Sequence, residues 1–101
     1  MAESIIKGEA PPFIYKTYSC SYSIGGFEHK YLSASSFGIT AIPGYTIVGA
    51  YSWTSGDYET NVIQIDCTTS GTVMGIFRKP NSSDSATAYV SYLWVRSDLA
   101  L

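Results

Sequence analysis

Charged residues are scarce in this sequence. Only 14% of its 101 residues are Asp, Glu, Lys or Arg, whereas about a quarter is usual for a soluble domain. The few basic residues are scattered among slightly more acidic ones, and the net charge is −2. A protein that grips a phosphate backbone needs clustered Lys and Arg side chains. The sequence therefore predicts that nucleic acid is not a partner and that hydroxyl, amide and tyrosine groups form much of the surface.

Cysteine is scarce too. Cys20 and Cys67 are too few for a disulfide scaffold and lack the close spacing of a zinc site. Each falls in a strand-like stretch, where a free cysteine packs as a small buried hydrophobe. Free thiols are the favoured interpretation, and a Cys20–Cys67 bridge stays open as the alternative.

Long apolar runs and targeting signals are missing as well. No stretch approaches the length that spans a bilayer, and the start of the chain lacks a basic segment followed by an apolar core. The sequence as given is expected to be soluble, untargeted and without membrane insertion. Pro11 and Pro12 cannot continue a helix, so residues 1–12 are interpreted as a linker or an extended segment derived from a stalk. Residues 13–101 are then one domain.

Groups suited to catalysis or to cofactor binding are sparse. His29 is the single histidine, and its neighbours Glu28 and Lys30 would point to the opposite face of a strand. Asp57 and Glu59 lie two residues apart in a loop, which is more typical of solvated charge than of a glycosidase pair. No glycine pattern matches a phosphate-binding loop. We expect no enzymatic activity, no cofactor and no metal.

Apolar and polar residues alternate along much of the chain, which predicts strands. In residues 13–24 the alternation predicts one solvated face and one buried face. The buried face would consist of Ile14, Tyr18, Cys20, Tyr22 and Ile24. Gly25-Gly26 can adopt positive φ angles, so it is expected to turn this strand into a hairpin with residues 27–34.

Further strands are expected at residues 35–40, 45–54, 62–69, 72–79 and 87–97. Ser70-Gly71 is expected to join two of these strands in a second hairpin. No helical crossover is predicted. The sequence thus indicates an all-β fold, either an antiparallel β-sandwich or a jelly-roll-like barrel of six to seven strands.

Two of these predicted strands, residues 45–54 and 87–97, carry apolar side chains on both faces. A sandwich buries only one of those faces against the opposite sheet. Monomers rarely expose large contiguous apolar patches, so something should cover the other face. A second copy of the chain is the favoured cover. The linker or loops of the same chain are the alternative.

The loop that follows residues 45–54 combines aromatic, acidic and amide side chains. An aromatic face stacks on a sugar ring, while carboxylates and amides bind its hydroxyls. The candidate ligand-binding residues are therefore Trp53, Asp57, Tyr58, Glu59 and Asn61. A core position is the favoured alternative for Trp53, and Tyr58 is the better candidate for an exposed contact.

Residues 40–97 carry a family resemblance. The stretch "PGYT" followed by "VG", and the closing "YVSYLWVRS", resemble the C-terminal receptor-binding head domains of bacteriophage tail fibres and minor tail proteins. The resemblance implies a compact β domain at the tip of the virion tail, assembled in the host cytoplasm, where free cysteines persist. It also implies a homotrimer that attaches the particle to a bacterial surface glycan or protein.

Two other functions remain open. The chain could be a purely structural module that trimerises and caps a fibre without binding a receptor. It could also be a secreted, lectin-like bacterial binding domain. A receptor-binding domain differs from a structural cap in having a ligand site at its loops, and weak sites of this kind gain avidity through multivalency.

Overall fold

The computed structural model describes residues 10–99 as a six-stranded β-sandwich with one short helix. The elements in chain order are β1 Phe13–Ile24, β2 His29–Ser33, α1 Ala34–Phe37, β3 Tyr45–Thr54, β4 Thr60–Ile65, β5 Thr72–Arg78 and β6 Asp84–Arg96. They form two antiparallel sheets of three strands, ordered β1-β6-β3 and β2-β5-β4. The predicted all-β sandwich is confirmed, with six strands.

The long strands β1 and β6 pair over their whole length, from Phe13 opposite Val95 to Ile24 opposite Asp84. The alternation in β1 places one set of side chains in the core and the other in solvent, as predicted. Tyr18, Tyr22 and Ile24 are buried in the core, and the serines between them are exposed. Because side chains alternate across a strand, this one strand fixes which face of the first sheet is internal.

The core lies between the two sheets. Ile76 and Met74 on the central strand β5 are fully buried against the large rings of Tyr92 and Trp94 on β6. The Tyr92 hydroxyl also reaches across to the loop that joins β4 and β5. There it accepts a hydrogen bond from the Thr68 N–H at 3.1 Å and lies 2.9 Å from the carbonyl oxygens of both Asp66 and Thr68. A single hydroxyl therefore ties the β4–β5 connection to the opposite sheet.

The predicted hairpin at Gly25-Gly26 is wrong. β1 pairs with β6 in one sheet and β2 pairs with β5 in the other, so this turn crosses between the sheets. The residue with positive φ is Phe27, at 58°, and not either glycine. The second predicted hairpin, through Ser70-Gly71, is confirmed by the antiparallel pairing of β4 with β5.

The short strand expected at residues 35–40 is also wrong, because the single turn of α1 occupies the first half of this segment and no strand follows in the second half. The Ser33 hydroxyl caps the turn by accepting a hydrogen bond from the Ser36 N–H at 3.3 Å. Gly38, at φ 71°, ends it with its N–H bonded to carbonyls of the turn. These local hydrogen bonds outweigh a weak strand pattern.

Both cysteines are free, as the favoured interpretation had it. Cys20 is half-buried in β1, whereas Cys67 is exposed in the loop after β4 and not packed in a strand. Most of the predicted linker, residues 1–9, lies outside the described residues. Residues 10–12 are exposed and belong to no strand. Among residues 10–99, no helix has the length and apolar character needed to cross a bilayer.

The outer face of the first sheet is left open to solvent. Tyr51 is 65% exposed, Tyr15 63% and Phe13 60%. The segment from residue 10 to residue 99 therefore does not cover this face, contrary to the alternative that the chain's own loops seal it.

Candidate functional site

The two ends of the sandwich differ in what they present. At one end, the proximal end, Phe13 pairs with Val95, and the Arg96 N–H donates to the Pro12 carbonyl. At the other, the distal end, β1 finishes and β6 starts. The loops 25–28, 55–59 and 79–83 meet there. Loops at one end of a rigid sandwich are a common location for binding sites.

The buried Arg78 side chain organises the distal end. It is only 4% exposed, and its Nη1 donates to Asp57 Oδ1 at 2.5 Å and to Thr60 Oγ1 at 2.9 Å. Its Nε donates to the Ser82 carbonyl at 3.1 Å. Asp84 Oδ2 lies 3.8 Å from Nη1 and accepts a hydrogen bond from Thr60. The planar guanidinium thus joins two loops that are distant in sequence.

Asp57 has a structural role in this arrangement. Besides receiving the Arg78 donor, its Oδ1 accepts the backbone N–H of Glu59 at 2.9 Å, which fixes the turn of the loop. The hydrogen bond from Arg78, followed by the one from Glu59, lowers the pKa of Asp57 below its ordinary value. A carboxylate held in this way stabilises the loop and is a poor candidate for direct ligand contact.

The lowered pKa predicts an acid-dependent loss of stability. A carboxyl group with a lower pKa in the folded state stabilises the protein above its unfolded pKa, about 4, and loses that contribution as the pH falls. We expect Asp57→Asn to melt at a lower temperature than the natural sequence at neutral pH. The gap between the two melting temperatures should close below about pH 4. Both proteins keep Asp98, so its own salt bridge cancels in the comparison, and a gap that does not change with pH contradicts the assignment.

Tyr58 is the most exposed large side chain of the predicted site, at 87%. It stands on the loop that Asp57 and Arg78 hold in place. Glu59 is half-buried, and its carbonyl accepts the Lys79 N–H at 3.1 Å. Asn61 is exposed on β4, opposite Phe77 of the second sheet. The loop therefore offers a tyrosine ring on a fixed backbone.

Trp53 lies apart from these residues, on the outer face of the first sheet. Its ring stacks on that of Tyr89, with centroids 5.0 Å apart and planes 12° from parallel. The Tyr51 ring is also close to Trp53, with ring centroids 5.4 Å apart and planes tilted by 34°. Trp53 is 36% exposed, so it does not occupy the core position weighed as its alternative.

A shallow depression with a mixed polar and apolar lining lies at the distal end of the first sheet. It measures about 470 Å³, and its lining residues are Ser21, Tyr22, Ser23, Ser85, Ala86 and Thr87. The hydroxyls of Ser23 and Ser85 are 3.0 Å apart. The Ser55 N–H donates to the Thr87 carbonyl at 2.9 Å, and the Thr87 N–H donates to Ser55 Oγ at 3.0 Å. These bonds place the start of the Tyr58 loop at the border of the depression.

Sequence reasoning did not identify Arg78 or the depression. The serines of β1 form the solvated face of a strand in the pattern, and nothing local distinguishes them from an ordinary surface. The sequence signal for Arg78 is its position at the end of an apolar strand, where a charged side chain needs partners if it is buried. Its partner Asp57 lies 21 residues away in the sequence, and no local pattern marks Asp84 as the second acidic neighbour.

The His29 ring lies against Phe77, with centroids 4.7 Å apart, on the exposed side of the second sheet. Within residues 10–99, no three side chains of His, Cys, Asp or Glu come together in a way that could hold a metal ion. Comparison with known protein families, with curated proteins and with solved structures finds no match to this chain.

Proposed function

We propose that this chain is a non-catalytic attachment domain that binds a saccharide on a bacterial surface, at the tip of a phage tail fibre. The observation that carries the proposal is the difference between the two ends of the sandwich. The described chain enters and leaves at the proximal end, and the exposed Tyr58 loop and the hydroxyl-lined depression lie at the distal end. A stalk joined at the proximal end would hold that surface outward. The resemblance of residues 40–97 to tail-fibre heads is in keeping with this arrangement.

The chemistry of the distal end favours a neutral sugar. Hydroxyl groups line the depression, and hydroxyls both donate to and accept from the hydroxyls of a pyranose. Arg78 is buried and bonded to Asp57, so it is not available to an anionic sugar. Tyr58 provides the apolar ring face that sugar binding requires. The Arg78 hydrogen bonds hold its loop in advance, which reduces the ordering cost of binding.

A purely structural role is the second candidate. It is favoured by the exposed aromatic side chains on the outer face of the first sheet. Contact between such faces would allow copies of the chain to associate without any receptor. It does not account for Tyr58, which extends into solvent at the other end of β1 from Phe13. The receptor-binding proposal explains both features, because a multimer of weak sites still binds a surface through avidity.

Tyr58→Ala tests the saccharide site. On an array of immobilised neutral and acidic bacterial surface glycans, we expect the natural chain to bind neutral glycans. Tyr58→Ala should weaken this binding about tenfold, the equivalent of one lost ring contact. Tyr31→Ala is the matched control, because Tyr31 is an exposed tyrosine on the second sheet. It should leave binding unchanged.

Asp57→Ala is unsuitable for this purpose, because it removes the partner of Arg78 and disturbs the whole loop. Binding of the natural chain to no glycan on the array would count against the proposal. Equal loss of binding in Tyr58→Ala and Tyr31→Ala would remove the assignment to the distal end.

A further inference from the structure

The outer face of the first sheet is uncharged over all three of its strands. The register of β1, β6 and β3 determines which side chains share this face. The outward positions are Phe13, Tyr15, Thr17, Ser19, Ser21 and Ser23 on β1, Ser85, Thr87, Tyr89, Ser91, Leu93 and Val95 on β6, and Thr46, Gly49, Tyr51 and Trp53 on β3. None of them is Asp, Glu, Lys or Arg. Exposed Lys and Glu side chains lie elsewhere on the protein. The absence of charge from this face therefore indicates a surface that contacts another molecule.

Large and small side chains on this face are arranged diagonally. Phe13 and Tyr15 stand on β1 at the proximal end, and Tyr51 and Trp53 stand on β3 toward the distal end. The other two corners have no aromatic ring. One holds Thr17 and Ser19 on β1, and the other holds Thr46, Val48 and Gly49 around the bulge of β3.

We propose that this face binds a second copy of the chain over the length of β3, with the copies related by a rotation axis that runs parallel to β6. The outward residues that line the depression, Ser21, Ser23, Ser85 and Thr87, lie beyond the end of β3 and stay outside this contact. In this arrangement the β1 side of one copy lies against the β3 side of the next at the same height. Each aromatic corner then meets a corner without aromatic rings. Tyr51 of one copy faces Thr17 of its neighbour, since both residues pair with Ser91 in their own sheets. The diagonal arrangement makes the face complementary to itself.

The area and the charge of the face fit a copy of the same chain. Phe13, Tyr15, Tyr51 and Trp53 are exposed by about a third to two-thirds, which amounts to roughly 450 Å² of mostly apolar surface. With the surrounding hydroxyl groups, the face approaches the roughly 800 Å² per partner of a stable interface. A face that meets its own copy brings identical side chains close together. Without charge there is no repulsion between like groups.

This arrangement rests on the proposed function and extends it, because an axis parallel to β6 points the distal ends of all copies in the same direction. It can be tested without a ligand, so its failure leaves the saccharide site unaffected. Light scattering over a concentration series measures the solution mass of the natural chain, which we expect to exceed the monomer mass of 11.0 kDa. Tyr15→Glu and Tyr51→Glu should each weaken association at least tenfold. Ile63→Glu, a similar change on the second sheet, should not.

Cysteine cross-linking tests which strands meet. Thr17 and Tyr51 lie two strand spacings apart in one chain, roughly 10 Å, which is too far for an internal disulfide. In a Cys20→Ser, Cys67→Ser background, we expect Thr17→Cys with Tyr51→Cys to give chains linked to each other on oxidation. Dimers alone indicate a twofold axis, and trimers indicate a threefold axis. Thr17→Cys with Ile63→Cys is the control and should not link, because Ile63 lies on the second sheet.

A monomeric mass at every concentration overturns the proposal, and the partner of this face would then be a different protein. An oligomer that forms equally well with Tyr15→Glu and Tyr51→Glu also overturns it, because the contact would lie elsewhere. Cross-linking in the control pair alone would show that the β1 and β3 sides do not meet.

Discussion

Replacement of Arg78 by methionine is expected to lower the free energy of unfolding by about 3 kcal/mol. Methionine replaces the unbranched apolar stem of the side chain and ends before the guanidinium group. It removes the donors to Asp57, Thr60 and the Ser82 carbonyl. The largely buried carboxylate of Asp84 also loses the cation that lies 3.8 Å from it, and a buried charge without its partner is costly. Urea denaturation followed by tryptophan fluorescence measures the change.

Lys79→Met is the matched control, because it removes a positive charge from the adjacent exposed position. It should change stability by less than about 0.5 kcal/mol. Arg78→Lys should fall between the two, since lysine keeps the charge but not the planar fork. We also expect Arg78→Met to weaken glycan binding, because the Tyr58 loop loses its anchor. Equal stability of Arg78→Met and Lys79→Met would contradict the structural role of this guanidinium.

Replacement of Gly26 by alanine is expected to destabilise the protein by about 2 kcal/mol or more. A Cβ atom at Gly26 would lie 2.6 Å from the Ser82 nitrogen and 2.7 Å from Asn81 Cα. Both contacts are with backbone, and normal carbon contacts are about 3.5 to 4 Å. The substitution must therefore push loop 79–83 away from the turn between β1 and β2.

The neighbouring Gly25 provides the control. A Cβ atom there would meet only the flexible carboxylate of Glu28, at 3.2 Å, so Gly25→Ala should have a small effect. Neither glycine has a positive φ. Alanine therefore adds no backbone strain at either position, and the comparison measures the effect of crowding alone. Thermal melts of the two variants compare the costs directly. Similar melting temperatures would show that the two loops can move apart freely.

The strand positions were largely predictable from the sequence, because period-two alternation reflects burial on one face. β3 was predicted at its actual bounds, residues 45–54, and the buried face of β1 was predicted correctly. The pairing partner of a strand was not predictable in the same way. A Gly-Gly turn permits a hairpin, but β1 pairs with β6, about 60 to 80 residues later in the chain. Such partners are set by long-range packing.

The candidate site was predictable only at the level of residue type. The exposure of Tyr58 follows from its position in a loop of small and charged residues. Asp57 resembled a ligand-binding carboxylate, but the structure pairs it with Arg78. This ion pair joins two segments 21 residues apart, and a sequence pattern cannot show which of several charges meet. Trp53 was assigned to the saccharide loop because of its position, but its ring stacks across the sheet on Tyr89.

The pairing of Phe13 with Val95 has a practical consequence for protein engineering. Because the described chain begins and ends its fold on adjacent strands, the two attachment points are about 5 Å apart. Residues 13–96 could therefore be inserted into a surface loop of a carrier protein with short joints on both sides. The carrier would keep its own ends unaltered, and the inserted domain would project the Tyr58 loop away from it.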